Sequence, residues 1–199
     1  MSQQIAYQLH NSLYLSITDR CTLVCDFCPK TRGSLQVGGY DLSMDHMPSA
    51  EEIIQSIHNP EQYDEVVFCG YGESTLRLKV LVQVAKWLKQ QGVKTRLNTD
   101  GLGSLVNKRN ILPELSGCID HLSVSLNAQN EAVYNQHCQP QLEGSYQAML
   151  DFLRQAPDYI PKVTASAING LEGVDIPACR QIAEELGVQF RERFYEDEL

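Results

Sequence analysis

The sequence predicts an α/β fold: an open, partial TIM barrel of about six β/α units around a parallel sheet. Three observations predict it. Short β-rich runs alternate about six times with helical patterns along the chain. One of those runs, Glu65-Val-Val-Phe-Cys-Gly70, is nearly continuous in apolar residues, as suits a strand covered on both faces of a parallel sheet. The chain has 199 residues, whereas a closed eight-stranded barrel typically takes about 250. No repeat, low-complexity stretch or Pro/Gly/Ser linker divides the chain, so residues 1–199 read as one domain.

Each element has its own signal. Residues 13–17 are the first strand candidate. Ser49-Ala-Glu-Glu52 spells a capping box, in which Ser49 accepts from a backbone N–H and Glu52 reaches back. Ile53, Ile54 and Ile57 then make one apolar face. Residues 65–70 are the second strand. Leu78, Leu81, Val82, Ala85 and Leu88 follow helical spacing, with Gly92 as the residue past the helix end. Residues 94–99 are the third strand, closed by Asp100-Gly101. The pattern is weakest over 102–118, where Pro113 allows only a short helix after it. Residues 121–126 are the fourth strand. Residues 131–154 are helix-compatible but must break at Pro140. Residues 162–168 are the fifth strand, ended by Asn169-Gly170. Ile176, Ile182, Ala183 and Leu186 describe a last helix, with Gly187 beyond it. Residues 189–195 are the sixth strand. Right-handed crossovers between parallel strands gather ligands at the C-terminal strand ends.

Composition narrows the function classes. Apolar residues are 43% and charged residues 21%, an ordinary globular balance. The formal charge is −9, from 25 acidic and 16 basic side chains. That argues against a broad nucleic-acid surface but leaves room for a local basic pocket. The close pairs Lys30 with Arg32 and Lys108 with Arg109 read as solvated surface charge. The N-terminal segment has no basic start and no apolar core of a leader. No apolar run approaches the ~20 residues of a membrane span. The final Glu-Asp-Glu-Leu reads as a charged tail rather than an address signal. Seven cysteines without a leader indicate a reducing cytoplasm, where clustered thiols mean metal or catalysis rather than disulfides.

One connection is conspicuously long, over about residues 18–48. Structureless loops of that length are functional or disordered. It carries Cys21-Thr-Leu-Val-Cys25-Asp-Phe-Cys28-Pro29, three of the seven cysteines within eight residues. A structural zinc site wants four ligands, commonly two short-spaced pairs. Here His46 is the nearest histidine, and it is unpaired. A thioredoxin-like motif would use Cys25 and Cys28 and leave Cys21 unexplained. Three thiolates fit an iron–sulfur cluster with one iron free of protein ligands and open to substrate. Zinc and chance clustering stay open on spacing alone. Cys69, Cys118, Cys138 and Cys179 are dispersed and read as reduced, structural thiols. Cys69 is the best exception, because it precedes a glycine turn. A second cluster assembled through space also stays open.

The loop resembles the signature of the radical S-adenosylmethionine (SAM) superfamily, C-x-x-x-C-x-φ-C after the first strand, with φ aromatic. Cys21, Cys25, Phe27 and Cys28 match it position by position. The resemblance implies that the three thiolates hold a 4Fe-4S cluster. It implies too that the fourth iron takes the amino and carboxylate groups of SAM, and that Phe27 lies near the adenine. The other reading of Phe27 is an apolar plug. Gly70-Tyr71-Gly72-Glu73 is similar to the family's G-G-E motif, whose backbone meets the SAM amino group; glycine lets a main chain approach a ligand closely. Tyr71 and Ser74 depart from the usual form. Asn98 and Thr99 end the third strand. Ser123, Ser125 and Asn127 lie two apart and share a face. Ser125 and Asn127 are the candidates for the SAM ribose and carboxylate, with hydroxyls bonded to neighbouring backbone as the alternative. Ser166, Asn169 and Arg191 or Arg193 complete a polar ring. Tyr71, Glu73, His46, Lys30 and Arg32 face either substrate or solvent.

The segments around Gly70, Asn98 and Ser125 are also similar to TatD-nuclease-associated radical SAM proteins, which implies a functional link to a TatD-family nuclease. The activity implied is reductive cleavage of SAM to methionine and a 5′-deoxyadenosyl radical that abstracts hydrogen from an unidentified substrate. The electron would come from a flavodoxin- or ferredoxin-type reductant. Two alternatives are a glycyl-radical-type activating enzyme for a partner protein and a non-catalytic zinc or TatD-interaction module.

Overall fold

All six predicted strands form, in the predicted order. In the computed structural model of the chain, residues 3–194 are described. Tyr195, read as the end of the last strand, and the charged tail at 196–199 lie outside the described residues. Strands β1 (Ala6–Leu9) and β2 (Ser12–Leu15) form a hairpin, and β3 (Gln36–Val37) and β4 (Tyr40–Asp41) form a second, two-residue ladder. Then come α1 (Ala50–Ser56), β5 (Glu65–Phe68), α2 (Leu78–Gln90) and β6 (Thr95–Thr99). Short helices α3 (Gly103–Asn107) and α4 (Leu112–Leu115) lead to β7 (His121–Ser125). Helices α5 (Glu131–Cys138) and α6 (Ser145–Gln155) precede β8 (Lys162–Asn169), and α7 (Ile176–Glu185) precedes β9 (Gln189–Phe194).

The main sheet has seven strands in the order β1-β2-β5-β6-β7-β8-β9. β2 and β5 to β9 are mutually parallel, and β1 pairs antiparallel at one edge. The barrel is therefore open between β1 and β9. Strand β1 escaped the sequence reading because its turn uses His10 in the left-handed region (φ 51°) and Asn11, without Gly or Pro punctuation. The capping box at Ser49 is complete, and Gly92 takes up left-handed φ just past α2. Pro113 falls inside α4, at its second residue, rather than before it. Its missing N–H is harmless in a first turn. Pro140 breaks the 131–154 stretch into α5 and α6 as expected.

Strand periodicity splits the sheet into two unlike faces. Leu15, Phe68, Leu97, Leu122 and Val163 stand side by side in register. All are buried in one apolar cluster with Leu81, Leu88, Met149 and Leu153 of the covering helices. The opposite, inner face is polar. Its rows run Tyr14, Val67, Arg96, His121, Lys162; then Asn98, Ser123, Thr164, Gln189; then Ser125, Ser166, Arg191. An open barrel with a polar lumen is a shape for holding a ligand rather than for filling a core.

Candidate cofactor site at the strand ends

The cysteine loop leaves β2 at its C-terminal end and is held there by distant chain. Val24 N–H donates to the Cys138 carbonyl (3.1 Å) and Asp26 N–H to the His137 carbonyl (3.0 Å). Gln141 N–H donates to the Thr22 carbonyl (2.9 Å), and Leu23 bridges Pro140. The loop thus borrows a short antiparallel ladder from residues 137–141. Phe27 is buried within the apolar cluster and seats the loop. Cys28 N–H donates to the Cys25 carbonyl (3.2 Å), and Leu23 N–H points at Cys21 Sγ (3.5 Å). All three thiols are half-buried.

His137 is a residue that sequence reasoning missed. Its Nδ1 lies 2.9 Å from Asp26 Oδ2 and its Nε2 lies 2.7 Å from the Glu172 carbonyl oxygen. Both partners are acceptors, an arrangement that favours the imidazolium, in which both ring nitrogens donate. Burial opposes that charge, but the bonds to Glu172 and Asp26 outweigh it and raise the pKa. Cys138 is the second surprise. It is buried against Cys25, whose Sγ lies 3.7 Å from the Cys138 carbonyl oxygen. Asn127 Nδ2 donates to Cys138 Sγ (3.5 Å), and Arg193 Nη2 donates to Asn127 Oδ1 (2.9 Å). A continuous polar chain thus links the cysteine loop to the ends of β7 and β9. Cys118 and Cys179 are buried, structural thiols as expected; Cys69 is half-buried at the end of β5.

The glycine turn after β5 packs against the same loop. A Cβ on Gly70 would sit 2.3 Å from Ser16 Oγ, and one on Gly72 would sit 2.3 Å from the Thr18 carbonyl oxygen and 2.7 Å from that of Arg20. The close approach these glycines allow is to the chain's own β2 end. Glu73 is 5% exposed. Its Oε1 accepts from Thr75 N–H (2.9 Å) and from the hydroxyls of Thr75 (2.6 Å) and Thr99 (2.8 Å), while Oε2 accepts from Asp100 N–H (2.8 Å). The carboxylate is fully engaged in tying β5 to β6. Tyr71 donates to the Gln36 carbonyl (2.8 Å), fastening the turn to β3.

The other candidates divide by face. Asn98, Ser125 and Ser166 lie on the inner face; Asn98 Oδ1 accepts from Arg96 (3.4 Å) and Ser166 Oγ donates to the Val124 carbonyl (3.5 Å). Thr99 points to the helix side, where its hydroxyl donates to Glu73 and accepts from Gly101 N–H. Asn169 is spent on Glu192 (2.8 Å). His46 binds Glu52 (2.8 Å). Lys30 reaches the Asp19 carbonyl, and Arg109 pairs with Glu114.

The acids near Cys21 colour its chemistry. Burial and the neighbouring Asp100 push the Cys21 thiol up to about 12. The bond to Cys138 and burial raise Cys25. Asp100 is itself raised well above the carboxylate range by burial and by Glu73 beside it. Thiols held as S–H must shed protons when they take a metal, so loading is pH-dependent. A cavity of about 630 Å³ opens beside Cys21, between Asp19, Arg20, Lys30 and His46. Among the described residues no group of three or more His, Cys, Asp or Glu is gathered tightly enough to grip a single metal ion. Three half-buried thiols on one seated loop suit a multi-iron cluster, whose ligands are thiolates set around a larger body.

A family model of the radical SAM superfamily matches residues 15–186, and the chain belongs to that superfamily. Its fold is similar to TYW1 with a lysine-pyruvate adduct bound, at 14% identity and TM-score 0.65, covering 94% of this chain and 65% of that one. It is similar to Streptococcus suis SuiB bound to the precursor peptide SuiA, at 14% identity and TM-score 0.68, covering 96% and 40%. It is similar again to SuiB bound to S-adenosylmethionine, at 15% identity and TM-score 0.62, covering 92% and 38%. At such identities the likeness is one of fold. The chain spans less than two thirds of the length of these structures. No curated protein matches it. Among the described residues no helix is long and apolar enough to cross a membrane.

Proposed function

We propose that this protein is a radical SAM enzyme acting on a substrate held in the lumen of its open barrel. The observation that carries this reading is the seating of the Cys21, Cys25, Cys28 loop at the C-terminal strand ends, by Phe27 below and residues 137–141 alongside. A 4Fe-4S cluster and SAM held here would supply radical chemistry at a substrate C–H bond, with one electron from an external reductant. The three cysteines hold the cluster. The backbone of residues 70–73 presents its N–H and carbonyl groups to SAM, with Glu73 fixing its path and Tyr71 anchoring it to β3. Asn98, Ser125 and Ser166 offer polar groups from the inner face. Thr99 and Asn127 support the site through Glu73 and Cys138.

The reductant is a cytoplasmic flavodoxin- or ferredoxin-type protein. The motifs around Gly70, Asn98 and Ser125 favour the TatD-nuclease-associated subgroup and a functional link to such a nuclease. Anaerobic reconstitution with iron and sulfide tests the reading. Uptake of about four irons, and release of 5′-deoxyadenosine on adding dithionite and SAM, are expected. Replacing Cys21, Cys25 or Cys28 by Ala should abolish cleavage. Full zinc occupancy with no cluster uptake would sink the proposal.

A further inference from the structure

The inner face carries a second site below the strand ends, built from positive charge. Arg96 of β6, His121 of β7 and Lys162 of β8 stand side by side in one row, and Arg191 of β9 stands four residues further up, in the row of Ser125 and Ser166. With Ser123 and Thr164 they line a cavity of about 350 Å³. The chain as a whole is acidic, at −9, so this cluster runs against the average. Glu65 is the acidic side chain in the cavity wall, and it is already paired with Arg96 (2.9 Å). Among the described residues neither Lys162 nor Arg191 has an acidic partner. Both are exposed, so the cavity opens to solvent beside the β9 edge.

Arg96 is the built part of the site. Its side chain is 9% exposed. Tyr14 Oη (3.2 Å) and Asn98 Oδ1 (3.4 Å) hold its guanidinium in place, while its buried Nε has no partner. A buried donor left unpaired is destabilising, and an oxyanion in the cavity would relieve it. His121 adds a second polar group, held by Thr164 Oγ1 (3.0 Å). Burial, then Lys162, Arg96 and Arg191 in turn, depress its pKa to about 4. Burial is the larger cause, and the positive field of the three cations that adds to it is one that attracts an anion.

We propose that this cavity binds an anionic group of the substrate, a phosphate or a carboxylate, and so orients the molecule beneath the cofactor site. Calling the bound molecule the substrate rests on the radical SAM reading; the anion site itself does not. The row of Arg96, His121 and Lys162 lies four residues, about 13 Å along a strand, below the row of Ser125, Ser166 and the top of the lumen. That span suits a small metabolite with its anionic end down and a C–H bond up. Arg and Lys at the floor give it direction, since Arg96 is preorganised and Lys162 and Arg191 close on the ligand from the open side.

The full chain, without iron or SAM, is titrated with inorganic phosphate and separately with acetate, following the His121 ring by NMR. Saturable shifts in the millimolar range are expected with one or both probes, together with a rise of the His121 midpoint from about 4. Phosphate alone acting would assign a phosphoester substrate, and acetate alone a carboxylate. Lys162→Gln and Arg191→Gln alter exposed side chains and leave the core intact, and each should weaken binding about fivefold or more. Arg96→Gln is not relied on, because it strands Glu65. No saturable shift with either probe, an equal response to chloride at matched ionic strength, or indifference to both substitutions overturns the proposal. Anion binding without SAM cleavage by the reconstituted protein would instead sink the radical reading alone.

Discussion

Glu73 shows how a residue in a cofactor motif can act through its neighbours. Four donors converge on its two oxygens, and all lie in buried surroundings. Glu73→Gln turns one acceptor into a donor that faces N–H or O–H groups. It should cost about 2–4 kcal/mol, read as a lower urea midpoint with unchanged slope; an unshifted midpoint would contradict the network. His137 makes a different residue-scale statement. Its folded pKa is raised above 6.5, so the stability it contributes is full below that value and is lost as pH rises through the folded pKa. The groups facing it are the Asp26 carboxylate and the Glu172 carbonyl. The stability gap between the native protein and His137→Gln should therefore shrink as pH rises above 6.5 and through the folded pKa. A gap that stays constant as pH rises above neutrality would show that the ring is not charged.

The elements around the cysteine loop are coupled by contact rather than by their own propensities. Gly72 lets the turn after β5 touch the carbonyls of Thr18 and Arg20. A methyl there must push backbone aside, so Gly72→Ala should destabilise by about 1–3 kcal/mol and lower cluster uptake. Unchanged iron content and unchanged melting would remove the turn from the loop's support. The ladder between residues 22–26 and 137–141 makes a parallel prediction in hydrogen exchange. His137→Ala should speed exchange at the Val24 and Asp26 amides, while amides of β6 stay protected. Much of this scale was legible in the chain. Capping at Ser49, the glycine after α2, the break at Pro140 and all six parallel strands follow from local chemistry. Strand β1 and the 137–141 ladder were not legible, because a four-residue strand and a bridge formed across a loop leave no period in the sequence. The burial of Phe27 in the apolar cluster was not legible either, because it depends on residues distant in the chain.

At the scale of the molecule, two faces of one sheet divide the labour. The helix-covered face holds the fold together and the inner face is free for chemistry. Leu97→Ala, at the centre of the covered face, should cost about 2–5 kcal/mol, whereas Ser123→Ala on the inner face should change stability by about 0.5 kcal/mol or less. Equal costs would mean that the lumen is packed core. The sequence by itself determined the order of elements, the thiol trio on one long loop and the glycine turn, because each is written in neighbouring residues. It pointed to the superfamily for the same reason. Only the tertiary structure decided that Cys138 meets Cys25 across 113 residues and that His137 meets Asp26 across 111. It alone brought Arg96, His121, Lys162 and Arg191 around one cavity, a basic cluster that no run of neighbouring residues spells. Strand periodicity tells which face a side chain takes, but the register between parallel strands, set by crossovers through whole helices, decides which residues stand in one row.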